Sequence, residues 1–580
     1  MSEQASKNSL RTEDLKVGLA LSGGGFRASL FHIGVLARMA EFGLLRHVEV
    51  ISTVSGGSII GALYYVHLKC LLEEKEDSQV TDTDYLSLVQ ELERDFLAAV
   101  QKNIRMRIFR NPFKNLKMAL PHYSRSDRIG ELYDALLYRP LLGPGRDTPV
   151  QMRELFVRPK GERSDFHPRN HNQGRRAKVP ILIINATTLN TGHNWRFEAS
   201  RMGEPPRGSA ISQEVDKNMR LRRPPTYANI TPRQQDIELG VAVAASACVP
   251  AIFHPLAISG LYDQGIRVQL VDGGVHDNQG IQGLLDESCT HFVVSDASGQ
   301  IGDDMDPATG IFPVLGRSNG ILMDRVREEQ LFALFGGDGR HLAFMHLRKG
   351  LSAQGIAWID ENGQPAARPK AERIPTMPSN QFGVDPGVQD LLSKVRTDLD
   401  SFTDIEACSL MLDGYLMSEP ELRSAFSLTS PTEPTQWTFL NVRKWMATPT
   451  RRYLTHLEVA HEGLFKVFRL SWPTTLLTVL GVGLIGWGGW IWQGDRILEW
   501  WNSTISVRRI VGAAVVLGVG FIPWASRTFK LLRFLRSPSE LLTRLVLRGL
   551  VPAIGSVFVW IHLAIFDPLF LSLGRIQRLK

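Results

Sequence analysis

Apolar runs bounded by glycine and polar turns recur along the first three quarters of the chain, with longer helical stretches between them. The clearest are VGLALS, VEVISTVS, VPILIINAT and THFVVSDAS, which are apolar nearly throughout instead of alternating. Strands of that kind are buried on both faces, as in a parallel sheet sandwiched between helices. From residue 16 to 426 the pattern therefore predicts an α/β domain of three layers with a mostly parallel central sheet, preceded by a polar tail over 1–15. Two stretches read as excursions from it: a helical insert over 81–138, and a polar loop over 158–178, rich in Arg, His and Asn and expected to be mobile.

A Ser, Thr and Pro linker, SLTSPTEPTQ (427–436), ends this pattern, and residues 437–580 are predicted to be a membrane-associated helical region. Thr474–Trp492 is uncharged and long enough as a helix to cross a hydrocarbon core of roughly 30 Å. Residues 510–524 are equally apolar but shorter, and span only with flanking residues or a thinned bilayer. Residues 550–573 carry Pro552, His562, Asp567 and Pro568, which leaves a third span, a re-entrant hairpin and an interfacial helix all open. Arg527, Lys530, Arg533, Arg536, Arg544 and Arg548 crowd the intervening segment and place it on the cytoplasmic face. The expectation is an integral membrane protein with its catalytic part on the cytoplasmic side, in keeping with an N-terminus that has no apolar signal-like core. The bland alternative is buried helices of a large soluble domain.

The formal net charge of +7 changes little, because membrane topology accounts for the arginines of the tail, and no nucleic-acid partner is expected. The basic and apolar residues of Ile104–Met118 suit either an anionic bilayer surface or a solvated helix face. Four cysteines, Cys70, Cys248, Cys289 and Cys408, lie far apart with no C-x-x-C pair, which argues against structural zinc and a disulfide framework. No His/Asp/Glu cluster has metal-ligand spacing, so neither metal nor cofactor is expected.

Candidate chemistry gathers at three turns. In VGLALSGGGFRASLFHIGVL, Gly23, Gly24 and Gly25 separate a strand from a helix start, a geometry that presents N–H groups to negative charge. Dinucleotide sites, P-loops and oxyanion holes share it, and the loop alone does not choose among them. In VEVISTVSGGSIIGALYYV, Ser55 stands at a strand-to-helix junction before Gly56 and Gly57, the small neighbours a nucleophile elbow requires. Thr53 occupies the position of the first elbow glycine, and an ordinary helix-capping serine is the competing reading. Ser58 is the local rival nucleophile. In VQLVDGGVHDNQGI, Asp272 ends an apolar run before Gly273 and Gly274; it is a candidate base for a hydroxyl too weak to attack an ester unaided, or an Asp-Gly turn.

Glycine loop, serine elbow and Asp-Gly-Gly, in this order, resemble the patatin-like phospholipases over roughly residues 16–425, with INATTLNTG, VAVAASACVPAIFHP and VRTDLDSFTDIEA as supporting stretches. The resemblance implies Ser55 as nucleophile and Asp272 as general base in a two-residue dyad. Gly23, Gly24 and Gly25 would be oxyanion donors together with Arg27, while Gly57, Gly273 and Gly274 shape the two turns. Thr53 and Ala28 replace glycines usual in the family. His276, His254, His193 and His32 are candidates for a hidden third member. The reaction implied is hydrolysis of a fatty-acyl ester of a glycerolipid, most naturally a membrane phospholipid. Acyl transfer from the same acyl-serine, or a lipid-binding scaffold without turnover, are the alternatives.

Overall fold

The four apolar runs form the strands they predict: β1 (Val17–Leu21), β2 (Val48–Val54), β3 (Ile181–Thr188) and, last of the four, His291–Asp296. The computed structural model describes residues 15–118, 123–143, 145–206, 214–250, 252–299, 301–335, 341–352, 356–366, 382–428, 435–463, 465–502 and 551–579. Among these, five further strands complete one open sheet: β4 (Asn194–Phe197), β5 (Met202–Gly203), β6 (Leu256–Ser259), β7 (Arg267–Asp272) and, after His291–Asp296 as β8, β9 (His341–His346).

The sheet is mixed, where a mostly parallel one was expected. β3, β2, β1, β8 and β9 run parallel in that order, whereas β4, β5, β6 and β7 pair antiparallel. The antiparallel strands are mostly short, so they lack the long apolar signature of the central ones. One of their registers sets the geometry of the site. β2 ends with Val54 opposite Asn185 of β3, and β7 ends with Asp272 opposite the next residue, Ala186. β4 occupies the other edge of β3, so β2 leaves and β7 arrives along a single edge. Ser55 and Asp272, more than two hundred residues apart in sequence, are thereby brought to the same point.

The helices that matter are α1 (Gly25–Glu41), α2 (Gly56–Glu74), α3 (Asp82–Val100), α4 (Ile104–Ile108), α5 (Pro112–Lys117), α6 (Arg125–Tyr133), α7 (Leu239–Ser246), α8 (Ile281–Asp286), α9 (Ile311–Phe335), α10 (Asp404–Phe426), α11 (Trp472–Asn502), α12 (Val551–Ile561) and α13 (Asp567–Leu573). One face of the sheet carries the main core, where Leu19, Leu21 and Ile51 share a cluster with residues of α1, α2, α3 and α10. The other face has a smaller cluster, in which Ala20, Val50, Ile183 and Phe292 meet Ile281 and Leu284 of α8 and Leu334 of α9.

Three boundaries differ from the sequence reading. The stretch 81–138 is helical but is no excursion, since Phe96 of α3 is fully buried edge-on against Phe26 of α1. The loop 158–178 is tied down by Arg169 to Glu198 and Glu287, and by Arg175 to Glu162 and Asp77. Residues 437–460, assigned to the membrane region on their change of composition, belong to the catalytic core. Trp437, Phe439 and Tyr453 are buried there, and the Trp437 indole donates to Glu41 at 2.8 Å. Tryptophan content alone does not separate membrane from core.

Of the expected spans, 474–492 lies within α11, and 510–524 with the arginines after it falls outside the described residues. Among the described residues one helical stretch, Gly555–Leu573, is long and apolar enough to cross a membrane, with a mean hydropathy of 1.8; Trp472–Leu484 is a shorter apolar helix.

Candidate active site

Ser55 sits in the one-residue joint between β2 and α2 at φ 49° and ψ −115°. A residue with a Cβ in that region stores about 1–3 kcal/mol, so the surroundings must hold it. They do so through a directed chain of buried hydroxyls. The Ser55 N–H donates to Ser246 Oγ at 2.9 Å, and Ser246 to Ser58 Oγ at 2.8 Å, since the Ser58 hydroxyl itself donates to Thr53 Oγ1 at 2.9 Å. Thr53 ends the chain on the Ile183 carbonyl at 3.0 Å. Ser58 is thus committed to the scaffold.

Thr53 fits in place of a glycine because Gly61, two helical turns on, leaves room for its methyl; a Cβ on Gly61 would lie 2.6 Å from Thr53 Cγ2. Relieving the backbone strain has a measurable consequence. Ser55→Gly is expected to unfold at a higher temperature than Ser55→Ala, by an amount worth about 1 kcal/mol, because glycine alone tolerates this backbone without a Cβ clash. Thermal melts of the two inactive variants read it. Ser246→Ala is expected to cost about 1–3 kcal/mol by leaving the buried Ser55 N–H without its acceptor and Ser58 Oγ without its donor. Its kcat should fall more than its KM, which steady-state kinetics on a soluble ester separates.

The glycine loop leaves β1 level with the elbow, and a Cβ on Gly56 would strike the backbone of Gly25. Three donors were expected of it; two are available. The Gly23 N–H is bonded to the Asn278 carbonyl at 3.0 Å. Gly24 and Gly25, at φ 132° and 57°, keep N–H groups with no hydrogen bond among the described residues, as does Gly56 at the start of α2. Phe26 N–H is capped by the Asp398 carbonyl at 3.1 Å. Arg27 is a clamp and not a donor to the site: its guanidinium reaches the carbonyls of Ala297 at 2.9 Å and Val395 at 2.8 Å, and burial lowers its pKa to about 10. Gly57 donates to the Ser22 carbonyl at 3.0 Å and packs against Leu21 too closely for any side chain. Ala28 is buried in α1 and accommodated there.

Asp272 closes the group from β7. Its Oδ1 accepts the Gly274 N–H at 2.7 Å and its own N–H donates to Cys248 at 2.9 Å. Burial pushes its pKa up to about 6, opposed in smaller measure by the Gly274 N–H and the Ser55 hydroxyl. Desolvation disfavours the charged carboxylate and so makes it a better proton acceptor near neutrality. Gly273 and Gly274 turn tightly here: a Cβ on the first would strike the Asn185 carbonyl, and one on the second would lie 3.0 Å from Asp272 Oδ1.

The histidines lie elsewhere. His32 is fully buried between Ser295 Oγ at 2.6 Å and the Ser22 carbonyl at 3.1 Å, and burial lowers its pKa to about 4, so it braces the glycine loop as a neutral ring. His193 pairs with Glu204 and Asp216. His276 has its pKa lowered by burial, and among the described residues no hydrogen bond joins it to Ser55 or Asp272. His254 is exposed. Asp277 accepts the N–H groups of Gly280 and Gln282 and caps α8.

Ser246 and Asn278 are the residues that sequence reasoning missed. Ser246 was visible only as a hydroxyl within an otherwise apolar helix. Asn278 gave no signal, because its carbonyl accepts the Gly23 N–H, and its side chain leaves no room for a Cβ at Gly23 or Gly274, only after the chain folds back. Asn278, Gln279, Ser298 and α9 enclose a cleft of about 320 Å³ beside the glycine loop.

A strained serine, a buried carboxylate and N–H groups with no hydrogen bond among the described residues thus meet at adjoining strand ends. Residues 19–285, a little under half of the chain, match the family model "Patatin-like phospholipase". Among solved structures, human GIVD cytosolic phospholipase A2 is 12% identical at a TM-score of 0.34, over 73% of this chain and 62% of that one. VipD from Legionella pneumophila is 14% identical at a TM-score of 0.25, over 98% and 94%. The chain thus spans about three fifths of the human enzyme it resembles. A search of curated proteins gave no match.

Proposed function

We propose that this protein is a membrane-bound serine lipid acyl hydrolase that cleaves fatty-acyl esters of glycerolipids, phospholipids above all, through an acyl-enzyme on Ser55. The observation that carries the reading is the meeting of Ser55 and Asp272 at consecutive positions along one edge of β3, with the Asp272 pKa raised to about 6. Asp272 takes the Ser55 proton as the hydroxyl attacks the acyl carbonyl. The oxyanion that forms is stabilised by the N–H groups of Gly24 and Gly25, with Gly56 at the head of α2. The proton passes to the departing alcohol, and Asp272 then draws a proton from the water that releases the fatty acid. Met323 of α9, which lines the cleft, and the exposed Phe312 and Leu322 elsewhere on that helix support a lipid substrate.

Purified protein is expected to release fatty acid from phospholipid vesicles, and Ser55→Ala to abolish that release. Full activity in Ser55→Ala removes the proposal. Transfer of the same acyl group to a lipid hydroxyl is read by supplying a labelled acceptor alcohol and analysing the products.

A further inference from the structure

The apolar stretch Gly555–Leu573 is docked along its length on the catalytic domain. Ser556 is buried, donates to the Phe109 carbonyl at 3.0 Å and accepts from Asn115 at 2.9 Å. The Trp560 indole donates to the Arg110 carbonyl at 2.7 Å. Asp567 is buried, and its carboxylate accepts from Asn103 Nδ2 at 3.0 Å and from the Ser401 hydroxyl. The end of α13 is seated by a bond from Ile405 N–H to the Gly574 carbonyl at 3.1 Å. A carboxylate is costly in a lipid-crossing helix, whereas here protein groups satisfy it. Ser556 and Asp567 thus face protein together with Val559 and Phe570, while most of the other large apolar side chains of α12 face outward.

Those outward residues are large: Val557, Phe558, Trp560, Ile561 and Ile565 are all exposed. They continue into the exposed Phe113 and Leu116 of α5, which packs against α12, and into Phe465, whose ring meets Phe558 at 6.3 Å. Contiguous exposed apolar surface of this size marks an interaction site. Its rim carries the exposed Lys102, Arg110 and Lys117, for which no ion pair is present among the described residues. The same surface adjoins the glycine loop, because Arg105 of α4 pairs with Asp398, whose carbonyl caps Phe26.

We propose that α5 and the docked helix pair α12–α13 form one face that lies in the interface of an anionic bilayer, with Phe113, Leu116, Val557 and Ile565 inserted among the lipids. The stretch 555–573 is then an interfacial helix that does not cross the membrane. Charge complementarity selects the occupant: an apolar centre with a cationic rim suits anionic headgroups over acyl chains. The inference rests on the lipid reading above for its biological sense but not for its test.

The test uses the full chain carrying Ser55→Ala and Cys70→Ser, reconstituted into vesicles of phosphatidylcholine with about 30% phosphatidylglycerol, a fraction that gives an appreciable negative surface potential. An environment-sensitive fluorophore is placed at Phe113→Cys or Ile565→Cys, with Leu189→Cys, exposed outside this face, as control. The expected result is a blue-shifted emission at 113 and 565, quenched by spin-labelled lipid and largely lost in phosphatidylcholine alone or when Arg110→Glu and Lys117→Glu are combined. No shift or quenching is expected at 189. Labels at 113 and 565 that stay water-exposed overturn the proposal. Labels that are shielded but not quenched by lipid also overturn it, in favour of a protein partner. Because the chain is inactive by design, these outcomes are independent of hydrolysis, which is read separately on a soluble ester with Ser55 restored.

Discussion

Asp272→Asn is expected to lose roughly 10²–10⁴-fold in kcat/KM, the contribution of a positioned general base, while folding at least as stably as the parent above pH 6. Asn keeps an Oδ1 for the Gly274 N–H, so the turn after β7 survives; only the basic oxygen goes. The stability gain follows from the direction of the pKa shift. Burial raises the folded pKa to about 6 from an ordinary 3.8, so the folded state holds this proton more tightly and the parent loses stability as pH rises between those values. Above that window the ionised carboxylate is a fixed penalty of up to about 3 kcal/mol, which Asn lacks. The same shift sets the activity profile: log kcat/KM of the parent should rise with unit slope and level off near pH 6. Denaturant melts and kinetics across pH 4–8 measure both. A catalytic role without burial would place the break near an ordinary aspartate pKa.

Gly25→Ala is the second large effect. At φ 57° a Cβ would sit 2.9 Å from the carbonyl carbon of Thr397 and 3.0 Å from the Asp398 carbonyl oxygen, so the loop must shift to admit it. Displacing one oxyanion donor costs about 10²–10³ in kcat, and Gly24 is expected to move with its neighbour. Gly174→Ala is the control: its φ of 79° is equally unfavourable for alanine, but nothing lies within 4 Å, so it should cost stability alone. A matched pair of melts and kcat values separates strain from lost catalysis. Equal loss of activity in both would deny the Gly25 loop a role in the chemistry.

The parts of this site that local sequence could show were those fixed by one turn. A buried strand running into small residues and a helix predicted the Ser55 joint and the Gly24–Gly25 turn, because both depend on backbone conformation within a few positions. The register that joins β2 and β7 on β3 was not legible, since it pairs segments far apart in sequence and an apolar run does not say which neighbour it pairs with or in which direction. Arg27 and Gly23 read as anion donors from sequence for the same reason: their real partners, at Ala297, Val395 and Asn278, come from distant loops. Residues 437–460 misled by composition, because a tryptophan buried against Glu41 and a tryptophan at a bilayer surface look alike in one dimension. Thr53 looked like a defect in the elbow, yet it ends the hydroxyl chain that holds Ser55.

The central claim is that the Ser55 hydroxyl is the nucleophile and Asp272 its base. Labelling with a fluorophosphonate, followed by peptide mass spectrometry, measures this most directly. A single adduct is expected on Ser55, absent in Ser55→Ala and formed far more slowly in Asp272→Asn at pH 7. An adduct on Ser58 or elsewhere in the parent, or undiminished labelling of Asp272→Asn, would contradict it.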